Sequence, residues 1–295
     1  MADFAVIGHV AIDRIITDQG ERVQLGGPPT YVSLVTQKLS KSVSTVTKVG
    51  GDIPDDFVSQ LEGLGIDIEG MIIEGAETTR FILDYRGAER RLSVGSVCEE
   101  IGPENLVGLH EVVLLTPIVG ETPTSVLSNI ESDVIALDPQ GFVREIRLDG
   151  TILPKRWFDE SLMRRLTIYK SSENELRLVT GNLDAMKGLQ KVIGIGAEVA
   201  IATRGVEGSL LVVREGRYKV PALSVGEVLD ATGAGDAFIG GFFSEYLDGE
   251  DPSWCASMGA AMASCVVETV SARIDAPRKL VQVRAEDVYN RVVKL

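Results

Sequence analysis

Short apolar runs alternate with amphipathic segments along most of the 295-residue chain. Six runs have the length of a β-strand and carry turn residues at their ends: FAVIGHV, STVTKVG, EVVLLTP, DVIALDP, LTIYKSS and EVAIATRG. The segments between them have helical spacing: PPTYVSLVTQKL, DDFVSQLEGLG, TPTSVLSNIES and NLDAMKGLQKVIG. Buried strands that alternate with helices predict a mostly parallel central sheet covered on both faces, a three-layer αβα sandwich. Ligands of such sheets bind at the carboxyl ends of the strands.

Two segments, residues 12–27 and 77–94, interrupt this alternation. Both contain alternating polar and apolar residues around tight turns, in TDQGERV and YRGAERRLSV. The pattern is typical of half-exposed hairpins that stand off a main sheet. One interpretation is a small β lid built from both segments, and the other is two ordinary surface hairpins. We expect residues 1–295 to form a single α/β domain that carries this lid.

The charge and the cysteines restrict the partners of the protein. A net charge of −14 is unfavourable for binding nucleic acid or an anionic membrane, since both require a basic surface. Cys98, Cys255 and Cys265 show no CxxC spacing, which is typical of reduced, buried thiols. The apolar runs at residues 4–12 and 255–267 are too short to span a membrane. We therefore expect a cytoplasmic protein with small-molecule ligands.

The stretch DATGAGDAFIGGF, residues 230–242, places small residues directly before an acid and an apolar run. It is not a phosphate-binding loop of the GxxxxGK[ST] type, because the chain contains no Gly-Lys pair. A dinucleotide fingerprint would need glycine where Phe238 stands, and would be expected after the first strand. The remaining device is a glycine turn that opens a helix and presents free N–H groups to an anion.

Residues 237–247 have helical spacing, so the glycine turn lies where this helix begins. Small residues there allow an anion to approach the N–H groups of Ala234, Gly235 and Asp236. The carboxylate of Asp236 is suited to take a proton from an attacking hydroxyl. The alternative is that Asp236 caps the helix while the glycines permit close packing.

The same stretch closely resembles the C-terminal signature of the ribokinase-like, or pfkB, family of carbohydrate kinases. The resemblance extends over nearly the whole chain, since Asp13, QLGGPPTYVS, KVGGDIPDDF and TRGVEGSLL occur in the order of the family. It implies a ribokinase-like fold and a transfer of a phosphoryl group from ATP, with Mg²⁺, to an alcohol. The two β segments would then exclude water from the reaction.

The resemblance also implies a role for each matching residue. Asp236 would be the catalytic base. The anion hole for the phosphoryl group would consist of Gly233, Ala234 and Gly235. The acceptor would be bound by Asp13, Gly26 and Gly27. The nucleotide side would consist of Lys170, Thr203, Arg204, Gly205 and Gly208. Glu175 would hold Mg²⁺ through water, and Asp230 lies where some members bind a monovalent cation.

Departures from the family pattern bear on the acceptor. Tyr31 and Ser172 stand where many sugar kinases have Asn, and ALDPQGFVR, residues 136–144, is not general to them. Together these features resemble the inositol-kinase-like branch, which implies a cyclitol such as myo-inositol, bound with the help of Tyr31, Gln140 and Arg144. Alternatively, Gln140 is a turn residue, and Arg144 binds a substrate phosphate or forms an ion pair.

Other functions stay open at this point. Within the same chemistry, the acceptor could be a nucleoside, a sugar or a sugar phosphate. The intact GAGD turn argues against a non-catalytic nucleotide-binding regulator, and the missing GxGxxG argues against a dehydrogenase or methyl transferase. A monomer and a homodimer formed through lid strands are both compatible with the sequence.

Overall fold

A computed structural model describes residues 2–87, 91–106, 108, 111–124 and 130–295. Within these ranges the strands are β1 (Phe4–Ile7), β2 (Ala11–Thr17), β3 (Gly20–Gly26), β4 (Val43–Val46), β5 (Val49–Gly50), β6 (Ile72–Ile73), β7 (Arg80–Asp84), β8 (Arg91–Ser96), β9 (Val112–Leu115), β10 (Val134–Leu137), β11 (Arg144–Ile146), β12 (Ile152–Pro154), β13 (Ile168–Ser172), β14 (Val199–Thr203), β15 (Ser209–Val213), β16 (Gly216–Val220) and β17 (Val293–Lys294). The helices are α1 (Pro28–Leu39), α2 (Asp55–Gly63), α3 (Glu160–Met163), α4 (Glu173–Thr180), α5 (Ala185–Ile195), α6 (Ala234–Tyr246), α7 (Pro252–Val267) and α8 (Arg278–Tyr289).

The central sheet has nine strands, in the order β17, β16, β15, β14, β13, β10, β9, β1 and β4. Neighbouring strands from β14 to β4 are parallel. Strands β15, β16 and β17 extend the sheet in antiparallel fashion. The predicted mostly parallel sheet is thus confirmed, and each of the six apolar runs supplies one of its strands. The run STVTKVG divides, because its second part, β5, pairs with β6 outside this sheet.

Alternation of side chains along the strands explains the three layers. Ala5 and Ile7 of β1 belong to one hydrophobic core, which also contains residues of α3, α4 and α5. Phe4 and Val6 point to the opposite face and pack with residues of α1, α6, α7 and α8. Because successive strand residues face opposite sides, one apolar run supplies both cores.

Helices α6 and α7 pack at unusually close range. A Cβ on Gly259 of α7 would lie 2.6 Å from the carbonyl oxygen of Phe238, and one on Gly241 would lie 3.1 Å from the Cα of Gly259. The small residues of α7 are therefore explained by this close helix contact. No helix within the described ranges is long and apolar enough to cross a membrane. All three cysteines are free and buried, as predicted.

The two irregular segments form a second, four-stranded sheet, in the order β3, β2, β7 and β8. Strand β2 pairs in antiparallel fashion with β3 and in parallel with β7, which joins the two distant segments. One face packs Ala11, Ile15 and Phe81 with Ile118 and Val119. The role of this small sheet as a lid stays a prediction. Residues 88–90 of the second segment and residues 125–129 of the predicted helix TPTSVLSNIES lie outside the described ranges.

Candidate active site

A cavity of about 120 Å³ lies between the small sheet and the residues that follow the central strands. Seven residues predicted from the sequence line this one cavity: Asp13, Gly27, Tyr31, Gln140, Arg144, Gly233 and Asp236. The small sheet contributes Phe81, Leu83 and Leu92 to the wall, and Ile118 follows β9. These apolar residues give no sequence signal of a binding role, because each also has the pattern of ordinary strand packing.

The glycine turn opens helix α6. Gly233 has a φ of 77° and precedes the first helical residue, Ala234. A Cβ on Gly233 would overlap the ring of Tyr31, so both the backbone conformation and the packing require glycine here. The first N–H groups of a helix lack intrahelical partners, which leaves those of Gly235 and Asp236 suited to an anion. The N–H of Ala234 lies 3.4 Å from the carbonyl oxygen of Ala231.

Hydrogen bonds from Gln140 and, behind it, Arg144 orient the carboxylate of Asp236. Helix α6 has no side-chain cap, and Oδ1 of Asp236 instead accepts a hydrogen bond from Gln140 Nε2 at 3.2 Å. Arg144 donates to Gln140 Oε1 at 2.9 Å and to the carbonyl oxygen of Ile118 at 2.7 Å. The Arg144 guanidinium also lies 5.9 Å from the ring centroid of Phe81. Gln140 and Arg144 therefore form a connected support for Asp236.

Burial raises the pKa of Asp236 to about 7. The ammonium of Lys170 lowers this pKa and the carboxylate of Asp138 raises it. The side chain is only half-buried, because it faces the open cavity, but protein surrounds it on the other sides. An acid in this position exchanges its proton near neutral pH, which suits a general base.

A buried ion pair lies beside the glycine turn. Lys170 of β13 and Asp138, directly after β10, are joined at 2.5 Å, and their side chains are 4% and 2% exposed. A Cβ on Gly235 would lie 3.0 Å from Lys170 Nζ, which places the ammonium next to the start of α6. The acids Asp138, Asp236 and Glu175 together outweigh burial and raise the pKa of Lys170, so it stays protonated.

Asp138 is the main site residue that the sequence analysis missed. Burial raises its pKa to about 6, and its Oδ1 has no hydrogen-bond partner. A buried, unpartnered carboxylate oxygen is costly and indicates that something binds there. The available signal was its place, since Asp138 is the first residue after a buried strand, at the sheet edge where ligands bind.

Two adjacent glycines shape the acceptor side of the cavity for different reasons. A Cβ on Gly26 would overlap the carboxylate of Asp13, which is 4% exposed. Gly27 has a φ of 82°, and a Cβ there would overlap the carbonyl oxygen of His9. Tyr31 follows in α1 and is fully buried, which raises the pKa of its hydroxyl well above the usual value.

Asp230 lies at the base of the glycine turn and binds protein donors with both oxygens. Oδ2 accepts from Arg22 at 2.8 Å and from Gln24 at 3.2 Å, and Oδ1 accepts from the Thr232 N–H at 2.9 Å. Arg22 and Gln24 belong to β3 of the small sheet, and no sequence pattern indicated this contact. A monovalent cation at Asp230 stays a prediction.

Four of the five residues predicted for the nucleotide side lie at the end of β14 or directly after it: Thr203, Arg204, Gly205 and Gly208. The fifth, Lys170, lies in β13, beside the glycine turn. Arg204 donates to Glu173 at 2.9 Å, and Gly205 and Gly208 have φ values of 56° and 85°. A Cβ on Gly208 would overlap the carbonyl oxygen of Val220. Thr203 ends the strand and pairs with Ser172 of β13. These residues and the start of α4 form one group at the end of two neighbouring strands.

Glu175 and Asp138 are the carboxylates suited to magnesium. Oε2 of Glu175 accepts from the N–H and the hydroxyl of Ser172, both at 2.7 Å, in a capping box that fixes its side chain. No group of three or more His, Cys, Asp or Glu within the described ranges is arranged to hold a metal directly. Mg²⁺ usually keeps several waters and takes one or two carboxylates plus phosphates, so Glu175 and the unpartnered Asp138 oxygen fit a hydrated ion.

Comparisons with known proteins assign the chain to a family. A model of the pfkB family of carbohydrate kinases matches residues 123–279, more than half of the chain. A cytidine kinase of Thermococcus kodakarensis is 29% identical over 279 residues, which cover 91% of this chain and 97% of that protein.

Two solved structures show the ribokinase-like fold. A pyrophosphate-dependent kinase in the ribokinase family, complexed with a pyrophosphate analogue and myo-inositol, matches 95% of this chain and 99% of its own, with a TM-score of 0.79 and 19% identity. The ribokinase of Thermotoga maritima matches 97% of this chain and 100% of its own, with a TM-score of 0.75 and 21% identity. The predicted fold is confirmed.

Proposed function

The chain belongs to the pfkB family of carbohydrate kinases, and from this premise we propose that it transfers the γ-phosphoryl group of ATP to one hydroxyl of a small, uncharged polyol. It is a phosphotransferase with a hydroxyl acceptor, like the relatives described above. The proposed transfer from ATP to a polyol hydroxyl rests on the position and the pKa of Asp236. Its carboxylate stands at the start of α6, has a pKa of about 7, and lines the same cavity as Asp13.

Asp236 acts as the general base. The acceptor oxygen forms a bond to the γ-phosphorus, the bond from that phosphorus to the β–γ bridging oxygen breaks, and ADP leaves. The hydroxyl proton passes to Asp236, whose pKa near neutrality suits this task. Gln140 and Arg144 hold the carboxylate in place, so the proton acceptor needs no reorganisation during the reaction.

The start of α6 stabilises the charge on the transferred group. The N–H groups of Gly235 and Asp236 and the ammonium of Lys170 converge there, where the phosphoryl oxygens gain charge. Each preorganised donor of this kind contributes roughly 2.7–4 kcal/mol to transition-state stabilisation in measured cases. Mg²⁺, when bound, would neutralise phosphate charge, with Glu175 and Asp138 holding its waters. Val206, 92% exposed between Gly205 and Glu207, offers an apolar surface that suits a purine base.

The cavity supports an uncharged acceptor. Arg144 already donates to Gln140 and Ile118, so its guanidinium serves the protein rather than a substrate phosphate. Asp13 and Thr232 line the cavity, and their polar side chains suit an acceptor rich in alcohol groups. A compact cyclitol such as myo-inositol is the first candidate. The small cavity and the myo-inositol complex of the similar fold support it.

A nucleoside is the second candidate acceptor, and the apolar part of the cavity wall that the small sheet contributes favours it. Phe81, Leu83 and Leu92 offer no hydrogen bonds, and a cyclitol would direct hydroxyls toward them. A buried hydroxyl without a partner costs about 1–3 kcal/mol, whereas a base would cover this surface favourably. The 29% identity with a cytidine kinase supports the same candidate.

The test measures phosphorylated product by ³¹P NMR from purified protein with Mg²⁺ and either ATP or pyrophosphate. The acceptors are myo-inositol, cytidine, adenosine, ribose and fructose 6-phosphate. Asp236→Asn should abolish most of the turnover, while the matched control Asp248→Asn, at the exposed end of an ion pair with Lys41, should not. Product only with fructose 6-phosphate would refute the uncharged acceptor. No product with any acceptor, despite ATP binding, would refute the catalytic proposal.

A further inference from the structure

An ion pair between Arg22 and Asp230 joins the small sheet to the base of the glycine turn. Arg22 of β3 and Asp230 are 208 positions apart, and their charged groups are 2.8 Å apart. Asp230 is 5% exposed and Arg22 is 30% exposed, so the carboxylate is buried while the guanidinium reaches in from the surface. A buried carboxylate depends strongly on its partner, because losing the partner leaves an uncompensated charge.

The same carboxylate also shapes the glycine turn. Its second oxygen accepts the N–H of Thr232, the residue directly before Gly233. Asp230 therefore bonds the small sheet through one oxygen and the turn that precedes α6 through the other. Any displacement of Arg22 acts on the group that fixes the backbone of Thr232.

A second contact runs beside the first. Gln24, two residues along β3 from Arg22, is 2% exposed and donates to Asp230 at 3.2 Å. It also lies 3.5 Å from the hydroxyl of Tyr31, whose ring packs against Gly233. Arg22 donates to Gln24 Oε1 at 3.2 Å, which orders the amide. The small sheet thus supports the turn through a charged contact and through an aromatic ring.

Another arginine of the small sheet provides a contrast. Arg14 of β2 pairs with Glu21 of β3 at 2.6 Å, and the two side chains are 50% and 47% exposed. That pair lies within the sheet and in solvent, where such interactions contribute little. The Arg22 pair differs because it crosses from the sheet to the start of α6.

Resting on the proposed kinase function, we propose that Arg22 is a positioning residue that couples the docking of the small sheet to the geometry of the glycine turn. With the sheet docked, Arg22 and Gln24 hold Asp230, and the N–H groups of the turn are aligned for the phosphoryl group. With the sheet displaced, Asp230 loses the guanidinium of Arg22, and the N–H groups of the glycine turn lose this alignment. Efficient transfer is then restricted to the state in which the sheet covers the acceptor.

The test compares Arg22→Met, which keeps the apolar stem, with Arg22→Lys, which keeps the charge, and with Arg14→Met as the matched control. Hydrogen exchange of the backbone amides of residues 232–236 reports the turn without needing turnover. We expect Arg22→Met to speed this exchange at least about tenfold and to lower kcat about 10²-fold, as a misplacement near 1 Å does elsewhere. Arg22→Lys should recover part of both, and Arg14→Met should change neither.

The outcomes separate this inference from the kinase proposal. Exchange and kcat within twofold of the wild type in Arg22→Met would overturn the coupling. Absence of turnover in the wild type would refute the kinase proposal, while the exchange data would still decide the coupling. Unchanged exchange of the β1 and β9 amides shows that a variant is folded. If Arg22→Met fails this check, Arg22→Lys decides. Faster exchange of residues 232–236 in Arg22→Lys than in the wild type, with Arg14→Met unchanged, would support the coupling, and exchange in Arg22→Lys equal to that of the wild type would contradict it.

Discussion

The proton affinity of Asp236 should respond in opposite directions to two neighbouring substitutions. The ammonium of Lys170 lowers its pKa and the carboxylate of Asp138 raises it, with a resulting value of about 7. A nearby positive charge typically lowers the pKa of a carboxyl group by about 1–3 pH units, because it favours the ionised form. Lys170→Met should therefore raise the pKa of Asp236 by about that amount, and Asp138→Asn should lower it.

The sign of the effect on the rate follows from the role of a base. Asp236 works when it is deprotonated, so the rate is lost as pH falls through its pKa. The acid limb of the pH profile should lie near pH 7 in the wild type, at higher pH in Lys170→Met, and at lower pH in Asp138→Asn. The overall rate of Lys170→Met should also fall at every pH, because the ammonium beside Gly235 is lost.

The assay is kcat/KM for the acceptor at saturating Mg-ATP between pH 5.5 and 9.5, since this ratio reports the pKa of the enzyme–ATP complex before the acceptor binds. Lys170→Arg is the control, because it keeps a positive charge and should leave the limb within about half a pH unit. Limbs that move in the same direction in Lys170→Met and Asp138→Asn would refute the electrostatic argument. A wild-type profile without an acid limb would refute the assignment of Asp236 as base.

Three further predictions test other parts of the site. Asp236→Asn should lower kcat by about 10²–10⁴ with little change in the Kd of ATP. In urea titrations at pH 8 it should raise the free energy of unfolding by about 0.5–2 kcal/mol, as active-site replacements often do. A kcat equal to that of the wild type would leave Asp236 a structural residue. Gly26→Ala should raise the KM of the acceptor at least about tenfold, a 1.4 kcal/mol effect, because the new methyl overlaps Asp13. Gly63→Ala, with open space at its Cβ, is the control. The free energy of unfolding of the wild type should fall as the pH rises from 5 to 8. The reason is that Asp138 and Asp236 have pKa values of about 6 and 7 in the folded state, against about 3.9 in the unfolded state. The folded state binds more protons in this window, and a stability that rises with pH would contradict the assigned burial.

The fold was largely predictable because its information is local. The six apolar runs became strands of the central sheet, and the segment PPTYVSLVTQKL became α1 with the predicted bounds. Strand and helix periodicity depend on side chains a few residues apart, so the pattern is present in the sequence. The split of STVTKVG between two sheets was not predictable, since it depends on pairing with β6.

The candidate site was predictable only in part. The glycine turn was visible because glycine and Asp236 occur together in a short stretch. The grouping of Asp13, Gln140 and Asp236 around one cavity rested on the family resemblance and not on spacing. The apolar wall of the small sheet could not be anticipated, since an inward-facing Leu83 has the same pattern whether it packs against protein or ligand.

The sequence by itself determined the elements, the chemistry of the turn at residues 230–242, and the net negative charge, because each depends on residue type or on neighbours along the chain. Only the tertiary structure decided that Lys170 pairs with Asp138 and that Arg22 reaches Asp230. Both pairs join residues more than 30 positions apart, and the strand order that brings them together is set by packing of the whole sheet. The charge environment of Asp236, and hence its suitability as a base, is therefore a property of the fold.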